Sequence, residues 1–383
     1  MKTLFATVDA CFPPVSGADL RNWQNAVAAS RLGPVLLASL SPPGAEPRAC
    51  GIQVAGFSEM NVETVWGSEF DVKFSAPTLA RFRSLCATFQ PDAIVLESLP
   101  LANLVCPARE LSKGVILDLH NIESDLVAQQ AVVAAPGGAR RRAGRIAAIE
   151  RAATRAASST WVCSALDRDR LAGMGVPAER VHVVPNGIPR PEALPPDLPV
   201  RSKPPGRSPV LLFCAHLGYA PNIDAASWLA DLMPVLWRSL PGARLILAGR
   251  TPHPSVCARE QIGRIDVLPS PPSLVPILQQ AHIAVMPLRQ GGGTRFKALE
   301  AMAWGIPVVA TSKAVEGLGL RHGTDVLLAQ TAEEFVAHIC NLALDAAVHE
   351  RLRRNAYNHA MAHFGQQAIF SGVRAGLLSA VSS

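Results

Sequence analysis

Residues 281–311 read without interruption as strand, glycine loop, helix, tight turn and strand. The run at 281–287 (AHIAVMP) is apolar and β-branched enough for a strand buried on both faces, as in a parallel sheet. Gly291, Gly292 and Gly293 follow. With no Cβ to restrict φ, their N–H groups can point outward and a ligand can come close. Thr294 is the expected N-cap of a helix of good formers that stops near Gly305, and Pro307 opens the next strand.

That order places free N–H groups and the positive end of a helix beside Arg295 and Lys297, where a phosphate is the natural guest. The dipole contributes up to about 2 kcal/mol in a partly buried site, and each charge-assisted hydrogen bond adds about 1.5–3 kcal/mol. Glu300 lies three residues beyond Lys297, on a neighbouring part of the same helix. Its carboxylate can accept two hydrogen bonds at once, which suits the vicinal hydroxyls of a ribose. Phosphate donors and a diol acceptor on one short helix point to a nucleotide site. The plainer alternative is a common βα turn followed by a solvated Lys297–Glu300 pair.

The strings TRFKALEAMA (294–303), GIPVVAT (305–311) and EGL (316–318) resemble the donor-site signature of GT-B glycosyltransferases. They are closest to the large retaining "glycosyl transferases group 1" family of bacterial polysaccharide and lipid glycosylation. The resemblance implies an α/β chain of two doubly wound Rossmann-like domains facing a cleft. It implies a hexosyltransferase-type activity, in which Glu300 holds the ribose of a nucleotide-sugar and the glycine loop lies against its diphosphate and sugar. The family's second glutamate, eight residues earlier, is replaced by Gly292, so sugar contacts there would come from backbone N–H groups.

With 383 residues, two domains are expected. Apolar residues make up 49% and charged residues 17%, the balance of a well-packed chain with a buried sheet. No apolar run reaches the length of a membrane span. The first eight residues fit an opening β-strand better than a signal peptide. Eight cysteines without CxxC spacing point away from zinc and toward a reducing cytoplasm. The net charge of +6 suits anionic substrates or an anionic membrane surface. Aromatic residues are only 5% and no nucleic-acid motif occurs, so nucleic acid is not an expected partner.

The first half alternates strand and helix patterns, with strands expected at 4–8, 35–39, 52–57, 93–96, 114–119, 160–163 and 181–185. The loop CFPPVSGADLR (11–21) follows the first strand and opens a helix at the sheet edge where ligands bind in such folds. The resemblance makes Gly17 the glycine that approaches the donor phosphates. In VILDLHNIES (115–124), Asp118, His120 and Glu123 lie at or just past a strand end. A lone histidine there is more often structural, whereas the family pattern implies that His120 contacts the transferred sugar. In that retaining mechanism the leaving phosphate takes the acceptor's proton. Asp118 and Glu123 are expected to orient His120 or meet the acceptor, and Arg21, in the first helix, to meet the acceptor.

Residues 139–155 form an arginine- and alanine-rich helix, either a solvated face or a grip on anionic lipid headgroups or a lipid-linked acceptor. Asp167-x-Asp169 sits in a capped first helical turn after Ser164 and is not a metal site. VVPNGI (183–188) ends a strand in an Asn-Gly turn and matches the family's end-of-first-domain signature. The first domain is therefore placed at 1–188, a proline-rich linker at 189–209, and the second domain at 210–365. A last helix, about 366–383, is expected to return to the first domain.

The second half restarts with a strand at 210–214, a loop with His216, Gly218 and Asn222, and a helix to about 239. Many relatives carry an Arg and a Lys in this loop to clamp the diphosphate; here Arg295 and Lys297 are expected to take over from the facing loop. The expectation is a metal-independent glycosyltransferase without cofactor. It uses a nucleotide-sugar donor and a sugar or lipid-linked acceptor, in the cytoplasm or on the inner face of a membrane. A nucleotide-sugar epimerase or hydrolase of the same fold would consume donor without acceptor. A silent scaffold would bind nucleotide without turnover.

Overall fold

The computed structural model describes residues 1–45, 51–58, 65–67, 70–131, 136–199, 206–291 and 295–382. The chain divides into two units, one of Met1–Gly187 with Gln366–Ser383 and one of Ile188–Gly365.

In the first unit the strands are β1 (Thr3–Thr7), β2 (Val35–Ser39), β3 (Ile52–Gly56), β4 (Val65–Gly67), β5 (Val72–Phe74), β6 (Ala93–Glu97), β7 (Gly114–Leu119), β8 (Ser159–Val162) and β9 (Val181–Val183). Seven of them form one sheet in the order β3-β2-β1-β6-β7-β8-β9, and all its pairs are parallel. β4 and β5 make a separate antiparallel pair, which the sequence pattern did not suggest. The helices are α1 (Gly17–Ser30), α2 (Ala76–Phe89), α3 (Val105–Arg109), α4 (Glu123–Ala131), α5 (Pro136–Ala156) and α6 (Ala165–Gly173). Successive strand residues feed opposite faces. Leu4, Leu36, Ile94 and Leu117 pack into one core cluster, and Phe5, Leu37, Val95 and Ile116 into the other.

The second unit repeats the plan with β10 (Val210–Cys214), β11 (Arg244–Gly249), β12 (Ile265–Pro269), β13 (Ile283–Met286), β14 (Val308–Ala310) and β15 (Leu327–Leu328). They form a parallel sheet ordered β12-β11-β10-β13-β14-β15. Its helices are α7 (Ala220–Ser239), α8 (Pro254–Cys257), α9 (Val275–Gln280), α10 (Phe296–Ala303), α11 (Ala332–Leu344) and α12 (Ala346–Phe364). In both sheets the strand order reverses direction beside the first strand, between β1 and β6 and between β10 and β13. The crevice outside the carboxyl ends at such a switch point is where open α/β sheets bind ligands.

The proline-rich stretch expected as a linker belongs, in its described residues 189–199 and 206–209, to the second unit. Ile188 is 3% exposed in the second core and donates its N–H to the Phe364 carbonyl at 3.0 Å. Arg353 Nη2 holds the Pro199 carbonyl. Proline removes backbone donors but leaves carbonyls and ring carbons free to pack, so the segment lies down as a strap rather than a spacer.

The final helix, α13 (Gln366–Ser382), joins the first unit. Ile369, Val373, Leu377 and Ala380 complete the core cluster around Phe5 and Trp161. Two glycines allow this close docking: a Cβ on Gly114 would lie 2.6 Å from the Ala380 carbonyl oxygen, and one on Gly376 would lie 2.1 Å from Trp161 Nε1. Among the described residues no helix is long and apolar enough to cross a membrane. We predict that Gly376→Val lifts α13 from the sheet and costs about 1–3 kcal/mol, the usual range for overpacking. Denaturant unfolding would read this as a lower midpoint, and a midpoint equal to wild type would contradict the docking.

Candidate functional site

At the switch point of the second unit, the loop after β10 meets the start of α10. Lys297, in the first turn of α10, donates from Nζ to Asn222 Oδ1 at 2.7 Å, and Asn222 Nδ2 donates to the His216 carbonyl at 2.9 Å. The ammonium also sits 4.9 Å from the centre of the Phe213 ring. Burial first, and the charge of Arg295 second, push the Lys297 pKa down to about 7. Burial likewise lowers Arg295. Gly291 has φ +125°, and a Cβ there would lie 2.9 Å from Arg295 Nη1, so the guanidinium lies directly against the glycine backbone.

The helix begins one residue later than expected. Arg295, not Thr294, is the N-cap of α10, and its side chain makes no cap hydrogen bond. Gly292, Gly293 and Thr294 lie outside the described residues. Glu300, with its side chain 7% exposed, accepts from Arg190 Nη2 through Oε1. Arg190 itself adopts the left-handed conformation, φ +48°. His216 is turned to Thr251, with Nε2 2.7 Å from its hydroxyl. Gly218 packs under the same residue, since a Cβ would lie 2.6 Å from the Thr251 carbonyl oxygen.

The switch point of the first unit is occupied by a buried polar cluster. Arg21 on α1 grips Asp118 with two hydrogen bonds, Nε to Oδ2 at 2.8 Å and Nη2 to Oδ1 at 2.6 Å. Its Nη1 donates to the Val184 carbonyl and to Asn186 Oδ1, each at 2.8 Å. Asn25 Nδ2 adds a third bond to Asp118 at 3.0 Å. Burial alone would raise the Asp118 pKa, but the guanidinium outweighs it and holds the carboxylate below its ordinary value. Beside them, His120 Nε2 lies 2.9 Å from Glu97 Oε2. Burial pushes the imidazole down to about 4, so the ring is neutral near pH 7. Burial and the charge of Asp118 push Glu97 well above the usual carboxylate range.

The neighbouring elements are tied to this floor. Gly17 is the exposed first residue of α1, whose start is fixed by a capping box between Ser16 and Asp19. Glu150, buried on α5, accepts the N–H of Glu123 at 2.6 Å and that of Ser124 at 3.3 Å, so a carboxylate caps α4 from outside its own helix. Glu123 in turn accepts from Asn121 Nδ2 at 3.0 Å. On α6, Ser164 is the N-cap and Asp167 is held by Ser164 and Arg170.

Sequence families recognise both units. The model for "Glycosyl transferases group 1" matches residues 208–345, and that for "Glycosyl transferase 4-like domain" matches residues 17–187. The chain belongs to the group 1 glycosyltransferases. A curated relative from Klebsiella pneumoniae, described as an uncharacterized 44.6 kDa protein in the cps region, is 26% identical over 172 residues. That match spans 43% of this chain and 44% of the relative, less than half its length. HepE from Anabaena, solved with UDP, superposes with a TM-score of 0.70 at 16% identity, covering 99% of this chain and 100% of its own. Sucrose-phosphate synthase from Thermosynechococcus elongatus gives 0.70 at 18% identity over 98% of each chain. WaaG, a glycosyltransferase involved in lipopolysaccharide biosynthesis, gives 0.63 at 14% identity over 100% of each. At these identities the likeness is one of fold, and that fold is GT-B.

Within this group 1 glycosyltransferase, Asn222, Gly291, Arg295, Lys297 and Glu300 gather at one switch point, with His216 and Gly218 at its rim. Gly17, His120 and Glu123 stand at the other. Arg21 and Asp118 do not fit the expectation that they meet an acceptor: their side chains are 1% and 0% exposed and spent on each other. A buried cation and anion at hydrogen-bond distance saturate one another, which makes them a floor rather than a contact surface. Arg190 and Glu97 escaped the sequence analysis. Arg190 sits in a proline-rich stretch that carries no periodic signal. Glu97 closes the apolar run Ala93–Leu96, and a lone charge at the end of a buried strand was the available clue.

Removing one member of the Arg21–Asp118 pair strands the other. Arg21→Met or Asp118→Leu alone is expected to cost about 3–5 kcal/mol, while the double variant should cost clearly less than the sum. Denaturant unfolding of the three proteins measures the coupling, and additive losses would show that the pair is not one unit.

Proposed function

We propose that this chain moves a sugar from a nucleotide-diphosphate donor to an acceptor hydroxyl, with retention of anomeric configuration, in the assembly of a cell-surface polysaccharide or glycolipid. The observation that carries the proposal is the gathering of Arg295, Lys297 and Glu300 at and just after the start of α10, at the second switch point. A diphosphate would find two desolvated cations and helix N–H groups there, and a ribose diol would take the Glu300 carboxylate now shared with Arg190. The same cations would neutralise the leaving diphosphate, the service that a divalent metal performs elsewhere. The relatives support the direction: HepE has been solved with UDP-glucose, WaaG acts in lipopolysaccharide biosynthesis, and the Klebsiella protein belongs to a cps region.

In the first unit, Gly17 would approach the donor phosphates, His120 would contact the transferred sugar and Glu123 would meet the acceptor. A sugar or lipid-linked acceptor fits the exposed arginines of α5, which include Arg140, Arg141, Arg145, Arg151 and Arg155. These would hold the protein to an anionic membrane on its cytoplasmic face.

Thermal-shift measurements with UDP-, GDP- and dTDP-sugars should identify one stabilising donor class, because a ligand that binds only the folded state raises the melting point by mass action. Glu300→Ala should weaken that donor about ten- to a hundredfold, or about 1.5–3 kcal/mol. An unchanged affinity would remove the ribose role.

Lys297 adds a pH dependence. With its pKa near 7, the ammonium is present below that pH and is lost above it. Affinity for a nucleotide-sugar, whose bridged diphosphate does not titrate near neutrality, should fall as pH rises from about 7 toward 9. Lys297→Arg, which stays charged throughout, should flatten the curve. Titration calorimetry across that range decides it; a flat wild-type profile would exclude Lys297 from the phosphate site.

A further inference from the structure

Glu97 takes no part in binding donor or acceptor, yet its carboxyl lies at hydrogen-bond distance from the His120 ring. Its side chain is 0% exposed, and its Oε2 lies 2.9 Å from His120 Nε2. A single proton must occupy that gap, because two bare lone pairs would repel at such a distance. The groups facing the pair decide where the proton sits. Asp118 on β7 already takes the double hydrogen bond of Arg21 on α1. That is one cation for one anion, which leaves no counter-charge for a second carboxylate. Asp19 on α1, Cys11 after β1 and Cys163 after β8 add no positive charge. An ionised Glu97 would therefore be a buried charge without compensation, which costs several kcal/mol.

The third side of the cluster agrees. With its amide turned to satisfy its neighbours, Asn22 donates from its nitrogen to the Ala18 carbonyl at 3.1 Å and to Glu97 Oε2 at 3.0 Å, and lies 3.1 Å from His120 Nε2. It brings donors and no charge.

We propose that Glu97 is the positioning residue of His120: its carboxyl O–H donates to Nε2, so the neutral ring carries its own proton on Nδ1 and presents an N–H donor there. The inference rests on the proposed contact between His120 and the transferred sugar. Under it, His120 serves as a fixed hydrogen-bond donor to a sugar oxygen and not as a base. Burial keeps both partners in this form: the Glu97 carboxyl is held well above its usual range, and the ring charges only near pH 4.

Glu97, Asp118 and His120 also present ligand atoms within 4.8 Å of one another, the spacing of a metal cage. A cation there would face the guanidinium of Arg21, already bonded to both Asp118 oxygens, so the same geometry disfavours a metal.

Nitrogen NMR of histidine-labelled protein, with His120→Gln to assign the ring, reads the tautomer directly. The expected spectrum has a protonated Nδ1 and an unprotonated, hydrogen-bonded Nε2, unchanged from pH 8 to about 5. Glu97→Gln, whose amide N–H can replace the carboxyl donor, should keep that tautomer. Glu97→Leu should release the ring to a tautomer mixture. In transfer assays the leucine variant should lose about tenfold in kcat, the worth of one oriented hydrogen bond, with donor KM unchanged and activity restored in the glutamine variant. A wild-type ring protonated on Nε2 overturns the proposal, as does a leucine variant with the wild-type tautomer. So does a His120 resonance that broadens on addition of Mn²⁺, which would favour the metal cage. If the leucine variant does not fold, the wild-type spectrum alone decides. The spectrum needs no substrate, so a failure of the glycosyl-transfer proposal shows in the assays while the proton arrangement is judged separately.

Discussion

A parallel strand cannot turn back onto its neighbour; the chain must leave the sheet, cross one face and re-enter at the same end. Both units are built under that rule. Every βα connection therefore delivers a loop and a helix start to the carboxyl edge, and the edge opens where the strand order reverses, between β1 and β6 and between β10 and β13. The residues with chemistry to offer stand at these two openings because strand interiors, buried on both faces, accept apolar side chains almost exclusively.

The two openings solve the problem of burying charge in opposite ways. In the first unit the charges are answered internally, Arg21 by Asp118, and the remaining acid, Glu97, is held neutral beside a neutral His120. The result is a rigid polar floor with little net charge. In the second unit the desolvated cations Arg295 and Lys297 share the opening with the Glu300–Arg190 pair. Burial lowers the pKa of both cations; Arg295 stays charged, and an arriving anion would favour the charged form of Lys297. A neutral floor suits the orientation of a sugar, and a cationic mouth suits the binding of a diphosphate.

Legibility in the sequence followed the distance between partners along the chain. Gly291, Arg295, Lys297 and Glu300 fall within ten residues, so helical spacing alone placed them together. Asn222, which Lys297 bonds, lies 75 residues away and could be grouped with it only through the family pattern. Arg190 reaches Glu300 across a separation of 110 residues, out of a stretch whose prolines suggested a spacer. Arg21 and Asp118, 97 residues apart, were expected to face an acceptor because strand ends and helix starts collect active-site groups. They face each other instead, because the long Arg21 side chain on α1 reaches the Asp118 carboxylate on β7. Nothing local distinguishes a charged residue that meets ligand from one that meets another charged residue.

The sequence by itself determined the α/β class, the strand runs of the first sheet, β10, β13 and β14 of the second, the helix that carries Lys297 and Glu300, and membership in a glycosyltransferase family. These follow from hydrophobic periodicity, turn residues and contiguous motifs, all of which act over a few residues. Only the tertiary structure decided the rest. It set α13 against Gly114 and Trp161, turned a proline-rich stretch into a strap on the second unit, and buried Arg21 with Asp118. It also brought Glu97 to His120. Each of these is a contact between residues far apart in the chain, and its energy depends on burial and on which charge lies opposite, quantities that exist only once the sheet has formed.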